Sequence, residues 1–332
     1  MNQARDFATI EVNHEWGTLR EVVVGRAYMY MPKVRPPYLD SFLSEDAREM
    51  YDKMDGKTLE DVYPELHARQ VEQIDHVIGV LEERGAIVHQ VQPLLPHEHE
   101  YLTNQVDSYQ SLNYMRDGMI VIGNHFIETN MFDPGRRRDR FAIRRTVGAR
   151  LLASNAEIVS MPEAPVVGPE EDFGPGPFPE GGDTFVLGDD ILVGNTGNAS
   201  NSAGIEWLAR YLGDEYRVQE VRLDNRFVHL DCVLSTLRPG LAMIVEEAFP
   251  DGLPGVIADW ELIPVSPEDA EVHLATNALV LDDQTVMMPD DLPHINDAIR
   301  EAGHGVVEVP FDAINWQGGS FRCWHHPLVR ES

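Results

Sequence analysis

Apolar residues in this chain fall into short runs that pair across tight turns. Met119-Ile120-Val121-Ile122 turns at Gly123-Asn124 into Phe126-Ile127-Glu128, and Thr184-Phe185-Val186-Leu187 turns at Gly188-Asp189-Asp190 into Ile191-Leu192-Val193. Two further pairs have the same plan. Cys232-Val233-Leu234 reaches Arg238-Pro239-Gly240 and then Leu241-Ala242-Met243-Ile244, while Ala278-Leu279-Val280-Leu281 reaches Asp282-Asp283 and then Thr285-Val286-Met287-Met288. Helical periodicity separates the pairs. Over 65–83, Leu66, Val71, Ile74, Ile78 and Leu81 predict one apolar face, with Gly85 as the stop. Ile205, Leu208 and Leu212 predict a second helix ended by Gly213, and Ile295 and Ile299 a third ended by Gly303. With the N-terminal run Leu19-Arg20-Glu21-Val22-Val23-Val24, about five mixed α/β units are present, which is a repeat architecture with no clear linker between unlike domains.

Two stretches break the pattern. Residues 161–179 are rich in Pro, Gly and Glu and read as a long surface loop, either a lid or a plain connector. The basic run Arg136-Arg137-Arg138, with Arg140, Arg144 and Arg145, reads as a solvated helix face whose cations pair with carboxylates.

Charge narrows the partners. The 332 residues carry 56 acidic against 26 basic side chains, a formal charge of −30, which repels phosphate backbones and anionic lipid. Nucleic acid and membranes are therefore not expected partners, and no apolar run approaches membrane-spanning length. Two cysteines make no disulfide framework and MNQARDFATIEV is not a signal peptide, so a reduced, cytoplasmic protein is expected. Solubility accounts for the acidity by default; attraction of cationic substrates is the sharper reading.

The candidate chemistry begins at Cys323, set behind Gly318-Gly319 near the C-terminus, where a sulfur on a flexible glycine hinge reads as a nucleophile. Acids recur at the strand starts: Asp117 two residues before its strand, Asp183 directly before Thr184, Asp231 directly before Cys232. If the units surround an axis these carboxylates converge, and crowded carboxylates need a cation, either a metal ion or a planar guanidinium. His229-Leu230-Asp231, read as extended, puts an imidazole and a carboxylate on one face, and Glu180-Gly181-Gly182-Asp183 offers a carboxylate able to orient His229. Alone, each motif is adequately explained as a hydrogen-bonded histidine or an ordinary glycine turn. Together with a thiol they suit attack on the central carbon of a guanidinium. Cys232, read as a strand residue, is expected to face away and fill the core.

The ordered set of motifs resembles the amidinotransferases. It comprises Asn13-His14-Glu15-Trp16-Gly17 with Leu19-Arg20-Glu21-Val22-Val23-Val24-Gly25, Met115-Arg116-Asp117, Glu180-Gly181-Gly182-Asp183, Gly204-Ile205-Glu206-Trp207-Leu208, His229-Leu230-Asp231, Leu237-Arg238-Pro239-Gly240-Leu241 and Gly318-Gly319-Ser320-Phe321-Arg322-Cys323-Trp324. The wider guanidino-group-modifying superfamily also holds arginine deiminases and dimethylarginine hydrolases. The resemblance implies a single domain over 1–332: a five-bladed α/β propeller of pseudo-fivefold ββαβ modules around a central site. It implies Cys323 as nucleophile, His229 as general acid and base, Glu180 as its orienting group, Asp117 and Asp231 as guanidinium holders, and Asp183 lining the same site. The implied enzyme is an amidinotransferase that moves the amidino group of L-arginine to an amine acceptor through an amidino-cysteine, releasing ornithine, with no metal or other cofactor. A homodimer is held open as the assembly.

Departures from the pattern bear on the acceptor. Where glycine amidinotransferases have an arginine for the substrate carboxylate, this chain reads Glu246-Glu247-Ala248-Phe249-Pro250-Asp251, and where they have a serine pair it reads Ala270-Glu271. That favours a cationic or neutral acceptor over glycine. Arg322-Cys323 and Glu180 resemble the deiminases, yet the arginine those enzymes place five residues before the cysteine is Gly318 here. His325-His326 is read as an exposed, idle pair. The rival readings are guanidine hydrolysis at the same site, a metal-dependent hydrolase using His97, His99, His229 and the aspartates, and a silent guanidine-binding scaffold.

Overall fold

Each of the four hairpins read from the sequence forms, and each takes a third strand in parallel after an intervening segment. A computed structural model describes residues 9–35, 43–106, 108–165 and 174–331. Met119–Ile122 pairs antiparallel with His125–Glu128, which pairs parallel with Glu157–Ser160 across the helix Arg140–Leu152. Thr184–Leu187, Asp190–Asn195 and Arg217–Arg222 repeat the plan around the helix Ser202–Leu212. So do Leu234–Arg238, Leu241–Ile244 and Glu261–Pro264, and then Leu279–Asp282, Thr285–Pro289 and Gly305–Val309. The hairpin strands are apolar without alternation because both faces are covered; all four residues of Met119–Ile122 and of Leu241–Ile244 are buried. Gly123, Gly188 and Gly240 take φ of 54°, 74° and 81°, the left-handed conformation these tight turns demand.

The remaining unit joins the two ends of the chain. Thr18–Val24 runs parallel to Ile87–Gln90 on one side and antiparallel to the last strand, His325–Glu331, on the other. The segment ahead of it ties sheets together, since Glu11 bridges to Val329, Val12 to Gly123 and His14 to Leu187. Five sheets of one plan therefore match the repeat count from the sequence. Among the described residues there is also a sixth small sheet that periodicity did not predict, with Met29–Met31 between Lys57–Thr58 and Gln110–Ser111. Strands of two or three residues are too short to show a period.

Three local expectations are corrected. The long helix, Pro64–Glu83, buries Gln70, Gln73, Ile74, Val77 and Leu81, while Val71 faces outward at 39% exposure. The glutamines go inward because Gln70 Nε2 donates to the Ala313 carbonyl (2.8 Å), while Gln73 Nε2 donates to Asp312 Oδ1 (2.6 Å) and Gln73 Oε1 accepts from the Ala313 amide (3.0 Å). Leu230–Cys232 is a tight helical turn, so the third hairpin starts only at Leu234 and His229-Leu230-Asp231 is not an extended segment. His325 and His326 are 2% and 3% exposed in the closing strand, with Nδ1 atoms against the carbonyls of Phe321 (2.6 Å) and Arg116 (3.1 Å).

Of the 161–179 loop, 166–173 lie outside the described residues, as do 1–8, most of the N-terminal stretch read above; the flanks 161–165 and 174–179 have no regular structure. No helix among the described residues is long and apolar enough to cross a membrane. Leu328, wholly buried in the closing strand, is a direct probe of how far the joined ends stabilise the whole. Leu328→Ala should cost about 2–5 kcal/mol in denaturant unfolding, whereas Leu152→Ala, at a site 81% exposed, should stay within about 0.5 kcal/mol.

Candidate active site

Cys323 is held rigidly. It lies at 6% exposure in the short helix Phe321–Trp324, whose Phe321 and Trp324 rings pack on Phe311, rather than on a flexible hinge. Asn277 clamps it from the neighbouring sheet: its Oδ1 accepts from the amides of Cys323 (3.0 Å) and Ser320 (3.1 Å), and its Nδ2 donates to the sulfur (3.2 Å). The Arg322 amide donates to the Asn277 carbonyl (3.1 Å). The sequence reading assigned Asn277 no role, and only its place just ahead of a hairpin marks it.

The histidine sits between carboxylates. His229 Nε2 meets Glu180 Oε2 at 2.9 Å, and Nδ1 is 3.9 Å from Asp117 Oδ1. Glu180 is fixed in turn by the Phe132 amide (2.7 Å). The two glycines after Glu180 permit the approach: a Cβ on Gly182 would lie 2.8 Å from the His229 ring and 2.6 Å from Asp117 Oδ1, and one on Gly181 would lie 2.0 Å from the Arg116 carbonyl.

Cys323, His229, Glu180 and Asp117 all line one cavity of about 140 Å³. Asp231, expected beside the guanidinium, is not among the residues lining the cavity but sits behind it, Oδ2 3.7 Å from the sulfur, wholly buried and paired with Arg322 (3.1 Å). Asp183 does not line the cavity. Its oxygens accept from the amides of Leu230 (2.9 Å) and Ser200 (3.2 Å), so it fixes the turn that presents His229. Cys232 does not face away; it lines the same cavity, because the helical turn rotates it inward while it still packs on the apolar core.

Arg136 was expected on a solvated face. It lines the cavity instead, donating to Asp117 Oδ2 (2.6 Å), Asp139 (3.0 Å) and the Tyr114 carbonyl. The pairing with carboxylates was expected; its burial was not, and an acid nineteen positions away in sequence gives no local signal. The outer wall is apolar and aromatic, with Met29, Met31, Tyr51, Tyr109, Tyr114 and Phe132, and Asp133 adds a carboxylate. Much of it comes from the sixth sheet and the helix Glu45–Met54. Glu247 and Glu271 do not line this cavity; both pair with half-exposed Arg226 (3.3 and 3.5 Å), which removes the carboxylate argument for the acceptor made from their positions.

Burial and charge set the protonation states. Burial opposes the charged form of His229, but Asp117, Asp183 and Glu180 outweigh it and raise its pKa well above the ordinary value. Burial, then Asp231 and Asp117, raise the Cys323 thiol well above its ordinary range. Asp183 is pushed up to about 7, chiefly by burial. Asp117 is lowered: burial resists, and His229 and Arg136 prevail. The resting pair is thus imidazolium and thiol. Asp117, Glu180 and His229 also present two oxygens and a nitrogen within 4.8 Å of one another, the one such group among the described residues that could hold a metal ion. His97 and His99 are in the helix Pro96–Tyr101, with His99 bonded to Gln110 (2.7 Å), so they do not join His229.

Known proteins place this geometry. The profile described as arginine deiminase matches residues 45–252, well over half of the chain. The chain belongs to the arginine deiminase family. Membership in the guanidino-group-modifying superfamily, implied by the motifs, is met. The uncharacterized protein YkgA of Bacillus subtilis is 33% identical over 152 residues, 46% of this chain and about half (52%) of that relative's length. Glycine amidinotransferase of Gallus gallus mitochondria is 26% identical over 94% of this chain and 80% of its own. Among solved structures, SxtG, an amidinotransferase of Microseira wollei in saxitoxin biosynthesis, superposes with a TM-score of 0.80 at 23% identity, covering 97% of this chain and 98% of that one. The fold is therefore that of an amidinotransferase.

The carboxylate beside the sulfur yields a test in which reactivity and turnover part. Asp231→Asn removes a charge that raises the thiol, so alkylation of Cys323 by neutral iodoacetamide at pH 8 should quicken, about tenfold per unit by which the pKa falls. Turnover should drop by about 100-fold if the same charge grips the reacting cation. Slower alkylation in the variant would show that Asp231 does not set the thiol.

Proposed function

We propose that this enzyme moves the amidino group of L-arginine to an amine through a covalent amidino-cysteine. The carrying observation is that Cys323, the His229–Glu180 pair and Asp117 line one cavity. The same resemblance supports a single five-bladed α/β propeller, the five like sheets and joined chain ends being what such a ring requires. Two free cysteines fit a cytoplasmic setting.

A guanidinium entering beside Asp117 and Asp231 brings positive charge next to the thiol, reversing the effect that keeps it protonated. The thiol proton passes to solvent, to be regained when the product departs, and the thiolate adds to the guanidino carbon; imidazolium His229, braced by Glu180, then protonates the departing amine and ornithine leaves. The neutral His229 left behind accepts the proton of the incoming amine, which attacks the amidino carbon and releases the sulfur. Asn277 Nδ2 steadies the thiolate at each stage. The apolar wall and Asp133 suit an amine or diamine on a largely apolar skeleton better than glycine.

The family profile itself favours a second reading, in which water takes the amine's place and citrulline or a further breakdown product results. Incubation with arginine and a panel of glycine, lysine, diamines and amino sugars, read by mass spectrometry, separates the two. Transfer predicts ornithine and a guanidino product only with an acceptor, and an amidino adduct on Cys323 that Cys323→Ala abolishes. Citrulline and ammonia at full rate without any amine would establish hydrolysis, and glycine outpacing the other amines would overturn the acceptor class.

A further inference from the structure

A second cavity, sharing no lining residue with the one at Cys323, lies among buried arginines. It measures about 10 Å³, and Glu15, Thr236, Arg322, His325 and Arg330 line it. Four of these side chains each bury an atom with no partner: Arg322 Nε, Arg330 Nε, His325 Nε2 and Thr236 Oγ1. Arg322 Nε–H, Arg330 Nε–H and the Thr236 hydroxyl are donors there, and a buried donor left unpaired is costly, the more so when charged. Their convergence on one cavity is a site for an acceptor.

The charges demand the same. Arg116, Arg322 and Arg330 are 3%, 3% and 2% exposed. Glu15 pairs with Arg116 and Arg322 (3.3 Å each), and Asp231 also pairs with Arg322. Arg330 donates to the Gly17 carbonyl (2.7 Å) and makes no ion pair among the described residues. Arg330 is thus the one of the three arginines without a carboxylate in direct contact, its charge met only at longer range by Glu15 and Asp282.

We propose that this cavity binds a single halide ion, chloride in the cell, through Arg322 Nε, Arg330 Nε and the Thr236 hydroxyl. A space of about one water-sized particle excludes phosphate, sulfate and carboxylates. His325 joins on binding. Its Nδ1 faces the Phe321 carbonyl, and burial, then Arg116 and Arg330, keep the ring neutral. A halide opposes those arginine charges and draws a proton onto Nε2, making a fourth donor. Because Arg322 also grips Asp231, the ion is a positioning element for the carboxylate beside Cys323, while its binding is independent of the reaction assigned there.

Crystals of the intact enzyme grown in sodium bromide and measured at the bromine edge test this. An anomalous peak in contact with Arg322 and Arg330 is expected, in the wild type and equally in Cys323→Ser, so the site stands or falls apart from the chemistry at the sulfur. Density for a water there, with no anomalous signal, would overturn it. In solution, the melting midpoint should rise with chloride over gluconate at fixed ionic strength. Arg330→Met should abolish that rise; if it does not fold, Thr236→Val should weaken the halide dependence several-fold. Equal midpoints in chloride and gluconate would count against the site.

Discussion

Opposite charges buried together hold the centre of this molecule. Glu15, Asp117, Glu180, Asp183 and Asp231 are each under a tenth exposed, and Arg116, Arg136, Arg322, Arg330 and His229 are packed among them. Glu180 and Asp183 share one turn while Glu15, Asp117 and Asp231 come from separate segments, so the pairs reach from sheet to sheet. Burial alone would raise Glu15, yet Arg322, Arg116 and Arg330 draw it down to about 2. Arg116 and Arg330 themselves fall to about 10, with burial the leading cause. Such pairs add less to stability than apolar residues of the same volume, but removing one partner leaves a stranded charge. They specify how the sheets meet, and that arrangement is the site.

The sheets were legible because they are local. A run of apolar residues, a glycine at the turn and a second run place a hairpin without knowledge of anything distant, as at Gly123 and Gly188. The joining of the first strand to the last was legible only through the motif order, since nothing in Thr18–Val24 names His325–Glu331 as its partner. Misreadings cluster where polar side chains go inward. Gln70 and Gln73 are buried because they meet the chain near 312–313, some 240 positions away, and His325 and His326 because their strand pairs with the first strand of the same sheet, Thr18–Val24. A hydropathy pattern has no access to a partner that distant.

At the site, the acid, base and sulfur were readable as residue types, and the restraint on them was not. Cys323 looked mobile behind two glycines; Asn277 holds it by amide and sulfur together. Arg136 looked solvent-facing because its neighbours Arg137 and Arg138 are also basic, and it is the one of the three that turns onto Asp117. Asp183 resembled Asp117 and Asp231 by position, yet both its oxygens serve backbone amides, which makes it scaffolding for His229.

The two protonation states then constrain any chemistry at this centre. An isolated thiol beside two carboxylates is a poor nucleophile, and an imidazolium among three is a poor base. Neutral or anionic ligands leave both as they are. A cation does not: placed between Asp117 and the sulfur, it favours the thiolate and makes the His229 imidazolium a stronger acid, readier to protonate a leaving amine. The acids that keep the site inert at rest are those that admit the cation able to rouse it, so selectivity for a positively charged substrate and protection of the sulfur have one electrostatic origin. In the reaction proposed above, the step after attack falls to the wall of Met29, Met31 and Phe132, where an apolar surface gives water few partners and an amine with an apolar body many. Met29, Met31 and Tyr51 of that wall come from the small sheet and helix lying outside the repeat, so in the proposed reaction the common scaffold supplies the reactive centre and the added elements shape what reaches it.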